Sequence, residues 1–171
     1  MRPLALAGIA TLTIILTFLF VVDAQTTPTI GLGGGVSARL IPIGGANLSF
    51  LSFKVIVEAS LVPSLGIYAA FEYTPLVSWD GVNINASFIS GGILYQLIRK
   101  EMTSYFGAGI GTMQLSGLFS GMTFNALVGG SLHLSGNLFA YAQLEATSLI
   151  GKFAMEVGLP VGVGLGIIIY L

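Results

Sequence analysis

Few side chains in this chain of 171 residues could do covalent chemistry: it holds one histidine, His133, and no cysteine. Histidine-assisted catalysis needs a nucleophile and an orienting acid within reach of the ring. Beyond residue 24 the single aspartate is Asp80, which falls in a loop at the opposite end of the strand pattern from His133. One histidine cannot complete a metal site, and without cysteine there are no thiolate ligands, disulfides or thiol nucleophiles. The clusters "GLGGG", "GAGIG" and "GVGLG" do not fit G-x-G-x-x-G, and none joins a strand to a helix, so a phosphate cradle is not expected. No catalytic residue, cofactor or metal site is expected. Glycines in these clusters serve better as inward wall positions that leave room for larger side chains.

The remaining chemistry lies in the placement of charges. Charged residues make up 8% of the chain, against roughly 25% in typical soluble domains. A net charge of −1 gives no electrostatic reason to expect nucleic acid. The N-terminus, "MRPLALAGIATLTIILTFLFVVDAQTTP", has Arg2, an apolar run from Leu4 to Val22 and a Val22-Asp23-Ala24 junction. That pattern predicts a signal peptide over residues 1–24, cleaved after Ala24; an uncleaved anchor is the alternative, and both imply export. Residues 25–171 then form one domain.

After Ala24 no stretch suits a spanning helix. The tail Val157–Leu171 would reach only about 22 Å as a helix, short of a ~30 Å hydrocarbon core, and contains Pro160. As a strand it is long enough, since 9–11 tilted residues cross a bilayer. Eight alternating segments are predicted, at about 30–42, 48–61, 65–74, 82–98, 103–115, 122–134, 138–147 and 157–171, each bounded by Gly, Pro, Asn or Ser turn signals. Within each segment the charges share one parity. Arg39, Lys54, Glu58, Glu72, Glu145 and Glu156 all lie opposite the apolar face of their own segment, while Asp80, Arg99, Lys100, Glu101 and Lys152 fall in turns.

A soluble sandwich would present those polar faces to water, yet they carry one or two charges each and many glycines. Turned inside out, the pattern is that of a transmembrane β-barrel, with apolar faces to lipid and small or polar faces to a lumen. Closure is required because an open edge in lipid leaves backbone groups unpaired. The fold class expected is therefore all-β: an eight-stranded antiparallel up-and-down transmembrane barrel.

The stretches "SYFGAGIG" and "LVGGSLHLSGNLFAYAQLEATSL" and the alternating Leu165, Ile167, Ile169 and Leu171 resemble the small eight-stranded bacterial outer-membrane β-barrels. The terminal residue, usually aromatic in that family, is Leu171 here, with Tyr170 on the other parity. The resemblance implies localisation in the bacterial outer membrane, periplasmic termini, lipid as the surrounding partner, the barrel-assembly machinery during biogenesis, and a monomer.

An eight-stranded barrel is just wide enough for side chains to fill. Buried charges must be paired, so an ion-pair network around Arg39 and Lys54 is expected with Glu58, Glu72, Glu145 and Glu156, alongside the lumen polar residues His133 and Gln143. Such a network either plugs the barrel or gates a narrow pore whose acid excess favours cations. Two other functions fit the sequence less simply: a barrel passing small apolar molecules over Ile56, Leu127, Phe139 and Ile168, and a secreted soluble β-domain that oligomerises by its apolar face. Short outer loops, at 43–47, 75–81, 116–121 and 148–152, argue against a receptor. Trp79, Phe119, Tyr73, Tyr95, Tyr105 and Phe106 are expected at the membrane interface.

Overall fold

The computed structural model describes residues 29–43, 45–79, 82–99, 102–115, 119–150 and 159–171. The predicted signal peptide and Glu156 lie outside them. Eight strands follow in order: β1 (Thr29–Ile43), β2 (Ala46–Val62), β3 (Leu65–Trp79), β4 (Val82–Arg99), β5 (Met102–Leu115), β6 (Phe119–Ser135), β7 (Leu138–Leu149) and β8 (Val161–Tyr170). Each pairs antiparallel with its neighbours in sequence, and β8 closes on β1.

The register fixes the shape. Backbone partners followed from Ile30 through Ala59, Ile67, Ile93, Ala108, Ala126, Ala146 and Val161 return to β1 at Leu40, a stagger of ten residues. With ~3.3 Å per residue and ~4.8 Å between strands, eight strands and this stagger give a tilt of about 41° and a wall radius of about 8 Å. So narrow a tube leaves room for side chains and little else.

Alternation sorts the residues as the sequence predicts. Ile30, Leu32, Val36, Leu51, Phe53, Ile110, Val128, Leu144, Leu165 and Ile167 are all exposed on the outside. On β1 this face runs from Ile30 to Leu40, a height of about 25 Å at the derived tilt, matching the apolar band of barrels that span a membrane. Exposed Asn47, Ser49, Asn85, Thr112, Gln114, Ser120 and Ser148 form a polar collar above it. At the end that carries Thr29 and Tyr170 the outer face stays apolar to the strand ends, with Leu61, Leu97, Met102 and Leu134 exposed. Among the described residues no helix is long and apolar enough to cross a membrane.

Three boundaries differ from the sequence expectation. β3 runs on through Pro75 to Trp79, absorbing the proline region in an irregularity between Thr74 and Val77. Such irregularities are where a residue lacking an N–H fits a sheet. β6 begins at Phe119, so the connection before it is shorter than predicted. β8 begins at Val161 rather than Val157, immediately after Pro160. Gly136, with φ of 52°, takes the left-handed position in the two-residue turn joining β6 to β7.

Candidate functional site

The interior is built in layers. Toward the end distant from the termini, Ile41, Leu48, Phe50, Phe88, Met113, Leu115 and Leu149 form one buried apolar cluster with Ala86. Toward the terminal end, Ile56, Tyr68, Leu94, Tyr105, Leu127, Tyr141 and Ile168 form another with Ala70. Between them lies a charged layer.

Four strands supply it. Lys54 and Glu72 are direct cross-strand partners on β2 and β3. Arg39 on β1 and Glu145 on β7 both pair with Gly162 of β8, whose missing side chain lets them meet across it. Lys54 Nζ lies 3.0 Å from Glu72 Oε1 and 3.2 Å from Glu145 Oε2. Arg39 Nη2 lies 3.0 Å from Glu72 Oε1 and 3.3 Å from Glu145 Oε2. Each cation thus bridges both carboxylates, closing a ring of four alternating charges. Arg39 is 2% exposed and spends its other donors on Glu72 Oε2 (Nε, 3.3 Å) and Thr147 Oγ1 (Nη1, 2.9 Å). Its guanidinium carbon sits 4.3 Å from the centre of the Phe88 ring, joining the charged layer to the apolar cluster above. Ser37 Oγ donates to Glu72 Oε2 at 3.2 Å, and Ser52 and Thr74 bond each other at 2.6 Å. Burying charges is affordable only with pairing and full hydrogen bonding, which this ring supplies.

The wall glycines explain how large side chains fit. A methyl on Gly129 would lie 2.7 Å from the Tyr105 ring, and one on Gly166 would lie 2.7 Å from the Tyr141 ring. On Gly109 it would lie 2.7 Å from the Tyr68 hydroxyl, and on Gly31 2.8 Å from the Tyr170 ring. Four inward tyrosines are thus each seated on a glycine, three of them on a neighbouring strand and Tyr68 of β3 on β5, two strands away. The "GLGGG", "GAGIG" and "GVGLG" clusters are the wall side of this fit.

The other predicted residues are placed as follows. Gln143 is buried between the layers, where it accepts from Tyr105 Oη at 3.4 Å. Glu58 lies apart from the ring, taking a hydrogen bond from Tyr170 Oη at 3.0 Å. His133 sits at the terminal mouth, its Nε2 2.8 Å from the Gly136 carbonyl and its ring against Phe139. Glu156 and Asp80 are outside the described residues. Tyr105 corrects an expectation: it is 5% exposed and points into the lumen, not the membrane interface. It shares parity with Gly107 and Gly109, and alternation within β5 would have assigned it inward. Its neighbour Phe106 does face outward, against Tyr95, and Tyr73 is exposed. Of the Trp79 and Phe119 side chains the structure gives no description. Residues the sequence reading had not singled out include Thr147, Ser37 and Phe88, which complete the ring around Arg39; parity flags all three as inward. Among the described residues no group of three or more His, Cys, Asp or Glu could hold a metal ion.

No protein-family model matches this chain, and no curated protein matches it. Solved structures do. Neisserial surface protein A superimposes with a TM-score of 0.67 at 11% identity, over 84% of this chain and 99% of that one. The barrel has the fold of a small eight-stranded outer-membrane protein. Ail, the attachment invasion locus protein of Yersinia pestis, matches with a TM-score of 0.60 at 14% identity, over 85% of this chain and all of that one. The N-terminal β-barrel domain of Pseudomonas aeruginosa OprF matches with a TM-score of 0.52 at 16% identity, over 81% and 97%. At these identities the likeness is one of fold. The outer-membrane barrel architecture fits an integral outer-membrane protein, and its apolar outer band is what that placement needs.

Proposed function

We propose that this outer-membrane barrel is a structural element of the bacterial outer membrane, with periplasmic termini, no catalysis, and a lumen plugged by its own side chains. The observation that carries the reading is the charge-balanced ring of Arg39, Lys54, Glu72 and Glu145 held between two apolar clusters. An ion entering from either end would have to pass packed aliphatic and aromatic side chains before meeting paired charges. The alternative of passage for small apolar molecules draws less support. Ile56, Leu127 and Ile168 are at most 6% exposed, so they fill the lumen rather than line a channel. A soluble, oligomerising β-domain would have to cover an apolar band on all sides of the barrel.

Planar-bilayer recording of the refolded protein tests the plug. The wild-type chain is expected to show no steady conductance, and Arg39→Ala, which empties the centre of the ring, is expected to raise it. Stable single-channel openings in the wild type would reverse the assignment and make the ring the gate of a narrow pore.

A further inference from the structure

At the terminal end of the barrel lies a cavity of about 470 Å³. That size falls within the ~300–1,000 Å³ range of small-molecule sites. Among the described residues that line it there is no Lys, Arg, Asp or Glu. Ser60, Thr103 and Ser131 contribute hydroxyls and Gln96 an amide, each from a different strand. Gln96 and Ser131 are buried, and Ser60 Oγ donates to Gln96 Oε1 at 3.4 Å.

Three rings complete the lining. Phe139 packs between His133, with ring centres 5.0 Å apart, and Tyr170, edge-to-face at 5.2 Å. Both outer rings are pinned. A carbonyl only accepts, so His133 Nε2 donates to Gly136 at 2.8 Å, and Tyr170 Oη donates to Glu58 Oε2 at 3.0 Å. The aromatic row is therefore set before any ligand arrives.

We propose that this cavity binds a neutral pyranose sugar, its hydroxyls bonded to the Ser60, Gln96, Thr103 and Ser131 side chains and its C–H face laid on the aromatic row. Three features select this class. Without Lys, Arg, Asp or Glu, the wall offers an ion no full counter-charge for its lost hydration. Hydroxyl and amide groups both donate and accept, as sugar hydroxyls do, so a sugar replaces water at Gln96 and Ser131 almost bond for bond. An apolar ligand would leave the same groups unpaired. Aromatic faces carry negative charge density, which the C–H bonds of a pyranose face complement. A peptide fits less well, because closure of β8 on β1 leaves no free strand edge for it to extend. The proposal stands independently of whether the charged ring plugs or conducts.

The test uses the full mature chain, labelled with nitrogen-15 and refolded in dodecylphosphocholine micelles, which carry no sugar headgroup. Amide spectra are recorded while methyl β-D-glucopyranoside, N-acetyl-D-glucosamine, glucuronate or glycerol is added. At least one of the two neutral sugars is expected to give saturable shifts centred on Ser131, Gly136 and Asn137. Phe139→Leu, which removes the middle ring at similar volume, is expected to weaken binding about tenfold. Ser131→Leu, which fills the cavity, is expected to abolish it, with the dispersed spectrum reporting that each variant has folded. Shifts that stay linear and match those of glycerol would show a mouth holding only solvent, and overturn the proposal from the wild-type chain alone. Saturable shifts that persist unchanged in both variants place the sugar elsewhere and overturn it too. Glucuronate binding tenfold tighter than either neutral sugar would make the site one for anions at His133, with the same consequence.

Discussion

Removing single members of the charged ring should cost far more than removing a matched pair. Lys54 is buried and touches Glu72 at 3.0 Å and Glu145 at 3.2 Å. Lys54→Met leaves Arg39 facing two carboxylates, one buried negative charge uncompensated, at a cost of about 3–5 kcal/mol. Glu145→Gln leaves two cations facing Glu72 and should cost a similar amount. The double variant keeps Arg39 bound to both Glu72 oxygens at 3.0 Å, a neutral pair with its geometry intact. Its cost should not exceed that of either single variant, so the cycle should return a coupling of about 3 kcal/mol. Urea unfolding of the refolded barrel in micelles, followed by the shift between folded and unfolded gel mobility, measures all four corners. Singles that add to the double within ~0.5 kcal/mol would show four independent, solvated charges and refute the ring.

Neighbouring glycines on opposite faces of β1 should respond oppositely to alanine. Gly34 faces outward with only the Lys54 carbonyl within 4 Å of an added methyl, at 3.8 Å, so Gly34→Ala should change stability by under ~0.5 kcal/mol. A methyl on Gly35 would meet the Leu165 carbonyl and lie 2.7 Å from Gly166 Cα, so Gly35→Ala should lower the urea midpoint sharply or block closure of β1 on β8. Tyrosine-to-phenylalanine changes should also divide by partner. Tyr68 and Tyr141 hydroxyls are buried without a hydrogen bond among the described residues, so Tyr68→Phe and Tyr141→Phe should be neutral or stabilising. Tyr170→Phe removes a bond to a carboxylate and should cost about 1.5–3 kcal/mol in the same assay; a loss at Tyr68 as large as at Tyr170 would reveal bridging water.

Much of the fold was legible because a barrel wall obeys a period of two. Lys54 and Glu58 oppose Phe53, Val55 and Val57 on one strand, and no partner strand is needed to see that one face must meet lipid and the other a lumen. The same rule placed Arg39, Glu72 and Glu145 inward, and it failed for Tyr105 only where aromatic character was weighed above parity. Strand ends were less legible. Pro75 reads as a break, but an irregularity between Thr74 and Val77 lets β3 continue, and local sequence does not encode what the partner strand will tolerate.

By itself the sequence determined that strands alternate, that their charges face one way, and that the charged face is too sparse for water. Only the tertiary structure decided which charges meet. Arg39 and Glu145 are 106 residues apart and on strands that do not pair, yet the ten-residue stagger sets both beside Gly162. The same stagger leaves Glu58 outside the ring, held by a hydrogen bond from Tyr170. Alternation is a local property of the backbone and survives in one dimension. Register is set only when eight strands close, so which inward charge finds a partner is decided by the closure itself.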